Sequence, residues 1–372
     1  MKIATLIMVK NEEDVICNSL NSIKNYSDLV ILLDTGSTDD TIQVIKNYCT
    51  ENRIKYYIKS GEFIDFSTSR NELIQFAEKE TESDIDFFLL LDSNDELKNG
   101  SELINLCKKE LEDESSINSG YILCQEWYNG IKATNYFNIR LIRPNRGWKY
   151  IGVVHEYIAN MDRKSNSVSR LSEIIVIFQD RTTEKYKSRN RFKRDKDLLL
   201  NEYNLNSGNT RNVFYLAQTF ECLKDYENAI KFYKLRTTMG GFNEEIFHSY
   251  LRIGNLYRIL DSNSYESIVN YMKSYECNKR VEPLLELSKF YINKNEWSLA
   301  FMFCNLACEC KYPVKDLLFI DKLAYNYTRW HYMGIIGYNC GKMKEGESAC
   351  LKAIEYKPES FIDENILQQY RV

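Results

Sequence analysis

The stretch Phe87-Phe88-Leu89-Leu90-Leu91-Asp92-Ser93-Asn94-Asp95-Glu96 constrains the fold more than any other part of the chain. Five apolar residues without a polar break suit a strand buried on both faces, the kind found in parallel sheets covered by helices. The run then ends in three carboxylates and an amide within five residues. Ligands of open α/β sheets bind beyond the carboxyl ends of the strands. The acidic end is therefore a candidate site for a divalent metal, which takes oxygen ligands. A solvated acidic turn ahead of a helix starting near Ser101 would account for the same residues. The neighbouring segments bear on the choice.

Apolar strands and amphipathic helices alternate through the first half. Strands are expected at Ile3–Val9, Leu29–Asp34, Ile54–Ile58 and Asp86–Asp92. Helices are expected at Glu12–Tyr26, from Thr38 or Asp39 onward, and at Ser67–Glu78. Repeated βα units at this spacing imply parallel strands with right-handed crossovers. Three strand ends are unusually polar: Lys10-Asn11-Glu12-Glu13, Asp34-Thr35-Gly36-Ser37-Thr38-Asp39 and Asp92-Ser93-Asn94-Asp95. All three fall on the expected ligand edge, which favours a site over a plain turn. Beyond Gly120 further strands are expected at Tyr121–Trp127, Tyr136–Ile142, Tyr150–Ile158 and Glu173–Gln179, extending the sheet with mixed strands.

The second half is helical and repetitive. Small residues and aromatics recur in a pattern close to the 34-residue helix–turn–helix tetratricopeptide unit. Ala217, Phe220, Tyr226, Ala229 and Tyr233 mark the first unit, and Gly254 and Tyr257 a weaker second. Leu287, Ser288, Tyr291, Trp297, Ala300 and Ala307 mark another, followed by Gly334, Gly341, Ala353 and Pro358. An insertion near Lys311–Tyr325 separates the last two, and an ordinary helical bundle is the competing architecture. The expected division is a catalytic domain over 1–182, a helical linker over 183–208 and a repeat domain over 209–372.

Bulk properties exclude several classes. A net charge of −4 gives no reason to expect nucleic acid as partner. The Lys185–Lys196 cluster is interrupted by Asp195 and is expected to be the solvated face of a helix. Eleven dispersed cysteines without a Cys-x-x-Cys pair suit reduced core residues rather than a disulfide scaffold or a zinc site. No stretch approaches the roughly 18 apolar residues of a membrane span. A cytoplasmic protein without signal peptide or transmembrane segment is expected.

With the loops in order, residues 1–180 resemble family 2 nucleotide-sugar glycosyltransferases of the A-type fold. The whole chain is similar to members in which that domain precedes tetratricopeptide repeats. Six stretches carry the resemblance: Met8–Glu13, Asp34–Asp39, Ser69-Arg70-Asn71, Leu91–Glu96, Arg140-Leu141-Ile142-Arg143 and Val154-His155-Glu156. Phe214-Tyr215-Leu216-Ala217-Gln218 fits the first repeat. The fold implied is a Rossmann-like mixed sheet followed by an all-α repeat domain.

The implied activity is transfer of a hexose from a nucleotide diphosphate sugar, with UDP the favoured nucleotide, to a hydroxyl on a glycan or protein, with inversion. Asp34 would bind the nucleobase edge. Val9, Asn11 and Glu12 or Glu13 would line the same pocket, with Asp92 and Ser93 at the ribose. Arg70 would face the diphosphate, a task suited to a guanidinium fork. Mn²⁺ or Mg²⁺ would sit on Asp92, Asn94 or Asp95, and His155. Asn94 stands where the family has a second aspartate and offers one neutral oxygen, so the ligand there is Asn94 or Asp95. Glu156 is the expected general base, with Glu126 as competitor. Trp127, Tyr128 and Trp148 are candidates for stacking on sugar faces. Two other readings remain: a transferase-like scaffold whose repeats bind a partner or self-associate, and a nucleotidyltransferase. The latter is disfavoured because the first loop lacks a glycine-rich phosphate cradle.

Overall fold

The computed structural model of the protein describes residues 1–81, 84–130, 133–162, 167–170, 174–182 and 188–371. Residues 183–187, which open the expected linker and the Lys185–Lys196 cluster, lie outside the described residues, as does Glu173 of the expected Glu173–Gln179 strand. The chain forms two compact units, Met1–Glu202 and Tyr203–Val372.

The first unit begins β1 (Ile3–Val9), α1 (Ile16–Ile23), β2 (Leu29–Asp34), α2 (Thr41–Glu51), β3 (Tyr56–Ser60), α3 (Phe66–Thr81) and β4 (Phe87–Asp92). It continues with β5 (Glu96–Lys98), α4 (Gly100–Glu112), β6 (Asn118–Tyr128), β7 (Ala133–Ile142), β8 (Trp148–Ile151) and β9 (Tyr157–Asn160). β10 (Ser167–Arg170) and β11 (Val176–Asp180) follow, and α5 (Ser188–Leu205) contributes all but its last three residues to this unit. Among the described residues, the main sheet runs β3-β2-β1-β4-β7-β6-β11-β5, with β10 beside β6. The first four strands in that order are parallel, and β7 is antiparallel to both β4 and β6.

Alternate residues of each central strand serve opposite faces. Ile3 and Ile7 of β1, with Phe87, Leu89 and Leu91 of β4, pack with Leu20, Ile45 and Leu103 of α1, α2 and α4. Ala4, Leu6, Phe88 and Leu90 face the other way, onto Leu73 and Ala77 of α3 and Trp148 and Ile158 of β8 and β9. This double cover is why the Phe87–Leu91 run has no polar break. Val9 pairs with Asp34 and Met8 with Asp92, so the polar ends of β2 and β4 flank the end of β1. With strands about 4.8 Å apart, the backbones at Asp34 and Asp92 stand roughly 10 Å from each other.

Several expected elements differ in detail. The Tyr150–Ile158 strand is broken into the antiparallel β8–β9 hairpin, with Gly152–Glu156 as its loop. Positive φ at Gly152 (+106°) and His155 (+52°) turns the chain there, which a continuous strand does not permit. Helix α1 starts at Ile16 rather than Glu12: residues 13–15 form turns, the Glu12 carbonyl accepts from the Val15 and Ile16 N–H groups, and Val15 departs from helical geometry with φ at −122°. The short β5 pairs antiparallel with β11 and draws the Asp92–Glu96 turn into the sheet, so Ser93 and Asp95 are buried and the turn is only partly solvated. On α5, Asp195 is buried, and the Arg194 guanidinium lies 5.3 and 5.1 Å from the rings of Phe63 and Phe66. That helix face is packed rather than wholly solvated.

The second unit is built of antiparallel helix pairs: α6 (Thr210–Cys222) with α7 (Tyr226–Thr238), then α8 (Asn243–Leu260) with α9 (Tyr265–Cys277). Next come α10 (Val281–Asn293) with α11 (Trp297–Glu309), and α12 (Arg329–Asn339) with α13 (Met343–Tyr356), before the terminal α14 (Phe361–Tyr370). The first three pairs begin at Thr210, Asn243 and Val281, 33 and 38 residues apart, which matches a helical-hairpin repeat rather than an irregular bundle. In the second pair the small residue lies on the first helix. A Cβ on Gly254 would fall 2.5 Å from the Tyr271 ring of α9, so glycine makes room for that aromatic. Before α12 the inserted segment is gripped by its backbone. Glu244 accepts from the N–H groups of Leu317 and Leu318, while His248 and Arg280 contact the Leu318 carbonyl. All eleven cysteines are unpaired. No helix among the described residues is long and apolar enough to cross a membrane.

Candidate active site

The loops after β1 and β2 are fastened to each other. The Asn11 N–H donates to Ser37 Oγ (3.0 Å), and Asn11 Oδ1 accepts from the Thr38 N–H (2.7 Å). Asn11 holds φ at +55° to do so, a region asparagine tolerates better than most residues. The Val9 carbonyl accepts from both the N–H and the hydroxyl of Thr35. Asp34 is 7% exposed, and its Oδ1 accepts from the Ser37 N–H at 3.0 Å across the turn at Gly36, whose φ is +95°. Helix α2 is capped without Asp34, since Asp39 Oδ1 takes the Thr41 N–H and hydroxyl. Glu12 is pinned through its backbone, and Glu13 Oε2 accepts from the Asp40 N–H.

At the end of β4 the charges converge. Arg70, on α3, donates from Nη2 to Asp92 Oδ1 and from Nε to Glu156 Oε1, the latter at 2.5 Å. One guanidinium thus bridges the strand end and the β8–β9 loop. Asn71 brings that hairpin into range: its side chain accepts from the Tyr150 N–H (2.7 Å) and donates to the Tyr150 carbonyl (2.9 Å). The Tyr150 ring lies 5.3 Å from the Arg70 guanidinium. Asp65 caps α3 through the Thr68 N–H, which places Arg70 in the second turn of the helix.

A second guanidinium, Arg140 of β7, faces the other oxygen of Asp92. Its Nη2 stands 3.4 Å from Asp92 Oδ2, and its Nη1 3.5 Å from Asp95 Oδ2. Asp95 is fully buried. Its carboxylate accepts from the Asp92 N–H (2.9 Å) and from Gln125 Nε2 (3.1 Å), while Ser19 Oγ meets its carbonyl. Burial would raise Asp92, but Arg70 and Arg140 outweigh it and hold the carboxyl well below the usual range. Burial and then the Asp92 charge push Asp95 up to about 6. Burial would lower Arg70, yet Asp92 and Glu156 keep it well above its ordinary value.

Among the expected site residues, Arg70, Asp92 and Glu156 meet directly, and Asp34 with Val9 and Asn11 occupies the adjoining strand ends. Ser93 is buried in the turn, with its carbonyl on Ser19 Oγ. Asn94 Oδ1 accepts from Gln179 Nε2 at 2.6 Å, and Gln179 in turn accepts from Arg181. His155 lies on the β8–β9 loop and is exposed. As placed, Asp92, Asn94, Asp95 and His155 do not fit a divalent ion. Both Asp92 oxygens face guanidinium groups, the Asn94 oxygen is engaged, and no group of three His, Cys, Asp or Glu converges among the described residues. Trp148 is buried in the core against Gly120 and presents no face for stacking. Trp127 carries the Arg181 guanidinium 3.5 Å from its ring, and Tyr128 is partly exposed. Glu126 lies on β6, across from Asn135.

The parts played by Arg140, Asn71, Tyr150 and Gln125 emerge only with the structure, although Asn71 and Arg140 lie in stretches that carry the family resemblance. Arg140 had a further signal: a charged residue in a strand whose neighbours are apolar needs a buried partner.

Comparison with known proteins bears on the family of the first unit. Residues 5–164 match the model of Glycosyl transferase family 2. An uncharacterized glycosyltransferase of Rickettsia typhi is 51% identical over 45 residues, which is 12% of this chain and 15% of that protein. The SPbeta prophage-derived glycosyltransferase SunS of Bacillus subtilis is 27% identical over 229 residues, 61% of this chain and 51% of that protein. The chain thus spans about half, or less, of the length of these curated relatives. Among solved structures, YrrB, titled a TPR protein with an unusual peptide-binding site, is 12% identical with a TM-score of 0.36, covering 50% of this chain and 88% of that one. At that value the likeness bears no weight, and the repeat architecture rests on the helix pairs described above. Residues 5–164 are a family 2 glycosyltransferase domain.

Proposed function

We propose that the chain transfers a sugar from a nucleotide diphosphate donor, UDP-linked by preference, to a hydroxyl on a glycan or protein, with inversion. The observation that carries this reading is Arg70 bridging Asp92 and Glu156 at the carboxyl edge of the parallel strands, beside Asp34. Asp34 and the fastened β1 and β2 loops would hold the base and ribose. The Arg70 fork would meet the diphosphate, where charge grows as the bond to the anomeric carbon breaks. Glu156, through Oε2, would take the proton of the acceptor hydroxyl. The acceptor oxygen then bonds to the anomeric carbon from the face opposite the leaving group, and the electron pair of the broken bond departs with the nucleoside diphosphate. The unpaired cysteines support a reducing, intracellular setting for this activity.

The test is a hydrolysis and binding screen of the intact chain against a panel of sugar nucleotides, run with and without Mn²⁺. Asp34→Ala and Asp92→Ala are expected to abolish both readouts, and wild-type behaviour in both variants would overturn the assignment. A second reading is a transferase-like scaffold that engages a protein partner, or a second copy, through its repeats. It is favoured by the neutral Asn94, held by Gln179 where a second acidic ligand would be expected. Calorimetry separates the two, because the scaffold predicts no nucleotide binding with or without metal.

A further inference from the structure

Arg140 is the charged group of the site that the proposed reaction leaves without a task. It sits on β7, 7% exposed, in the strand next to β4. Its contacts are long: 3.4 Å to the Leu90 carbonyl, 3.4 Å to Asp92 Oδ2 and 3.5 Å to Asp95 Oδ2. Its Nε is buried without a hydrogen-bond partner. Ordinary guanidinium–carboxylate pairs close to about 2.7–2.9 Å. A cation brought into the interior and left with slack contacts and an unused donor is not there to close a structural ion pair.

The oxygens of Asp92 divide the two cations. Oδ1 faces Arg70 and Oδ2 faces Arg140. Under the proposed function, Arg70 turns toward the donor diphosphate and weakens its hold on Asp92. A carboxylate with a single cation would then be free to swing toward that cation or to repel the incoming phosphates. We propose that Arg140 is a positioning residue of the donor site: it keeps Asp92 neutralised and aimed while Arg70 is engaged by the diphosphate. The slack in its contacts is what allows it to tighten onto Asp92 at that moment. Its anchorage to the Asp92–Asp95 turn through both carboxylates makes the tightening local.

This inference rests on the proposed function, and the experiment distinguishes the two. UDP binding to the full chain is measured by calorimetry for wild type, Arg140→Met, Arg140→Lys, Asp92→Asn and the Asp92→Asn/Arg140→Met double variant, with thermal unfolding in parallel. Arg140→Met is expected to weaken UDP binding by about 10- to 100-fold, the loss of one charge-assisted contact. Arg140→Lys should recover part of it by restoring the charge. Asp92→Asn keeps a side-chain oxygen for the donor, so it weakens UDP binding without abolishing it as Asp92→Ala does. In that background the further loss from Arg140→Met should vanish, because the charge that Arg140 neutralises is gone. A purely structural role predicts the same fractional loss in both backgrounds, and that result overturns the proposal. So does UDP affinity in Arg140→Met equal to wild type. Absence of UDP binding by the wild-type chain overturns the proposed function and this inference with it, whereas binding that ignores Arg140 overturns the inference alone.

Discussion

Arg70→Met is the sharpest test of how the first unit is put together. The wild-type guanidinium serves two carboxylates of unequal exposure. The Arg70 side chain is 12% exposed, Glu156 also 12%, and Asp92 29%. Removing one partner of a buried ion pair costs about 3–5 kcal/mol, because the other charge is left in a poor solvent. Asp92 retains Arg140 and is nearly a third open to water, so its share belongs near the surface value of about 1 kcal/mol or below. Glu156 loses the cation that holds it and carries the larger share, about 2–3 kcal/mol. The expected total is therefore about 3 kcal/mol. A double-mutant cycle should assign a coupling of about 2 kcal/mol to Arg70–Glu156 and about 1 kcal/mol or less to Arg70–Asp92. Urea unfolding followed by tryptophan fluorescence gives the numbers. Trp127 and Trp148 lie in the first unit, so a Trp297→Phe/Trp330→Phe background isolates its signal. Couplings below about 0.5 kcal/mol for both pairs, or the larger one falling on Asp92, would refute this account.

Three further outcomes are expected. Asn71→Ala removes both hydrogen bonds to the Tyr150 backbone and should cost about 2 kcal/mol. Faster amide exchange confined to Trp148–Asn160 would be its signature, and uniform exchange across the first unit would contradict it. Gly254→Ala places a methyl 2.5 Å from the Tyr271 ring, and overpacking of this kind costs about 1–3 kcal/mol. The second unit should melt several degrees lower, with relief when Tyr271→Leu is added. Burial, and then the Arg280 charge, hold His248 well below its ordinary value of 6.5, so the folded state refuses a proton that the unfolded chain accepts. Its contribution is complete above about pH 6.5 and is lost as pH falls below that value. Thermal unfolding from pH 7.5 to 5 should show a decline in wild type that is smaller in His248→Gln, and equal declines would exclude His248 as the cause.

Much of the first unit is legible in the sequence because its central strands are covered on both faces. The unbroken apolar run Phe87–Leu91 reads as interior, and its polar successors as a strand end. Asp34 and Asp92 could be singled out in advance on that ground, whereas Arg70 and Glu156 came from the family resemblance. The β8–β9 break was less visible. Gly152 and His155 adopt positive φ inside an apolar run, and only the glycine advertises that freedom. Arg140 was hidden for a different reason. It alternates with Phe137, Ile139 and Leu141 as an outward-facing polar residue would, and its burial depends on what lies across the sheet from it. The metal expectation leaned on spacing within the Asp92–Asp95 turn. The side chains of that turn are claimed by residues 22 to 85 positions away in the chain, which local spacing does not encode.

The Arg70 bridge also dictates when the site comes into being. Its two arms reach across 22 and 86 residues of chain, to Asp92 and to Glu156. During synthesis at about 5–20 residues per second, Glu156 follows Asp92 out of the ribosome by about 3–13 s. Through that interval β1 to β4 can pair, since their partners already exist, while Arg70 and Asp92 meet across a cleft that lacks its second wall. A nascent chain halted before Trp148 would hold all four parallel strands but neither Glu156 nor the hairpin that carries it. The pairing of the parallel strands and the closing of the Arg70 bridge are thus separate events in the life of the chain, and the β8–β9 hairpin completes the bridge.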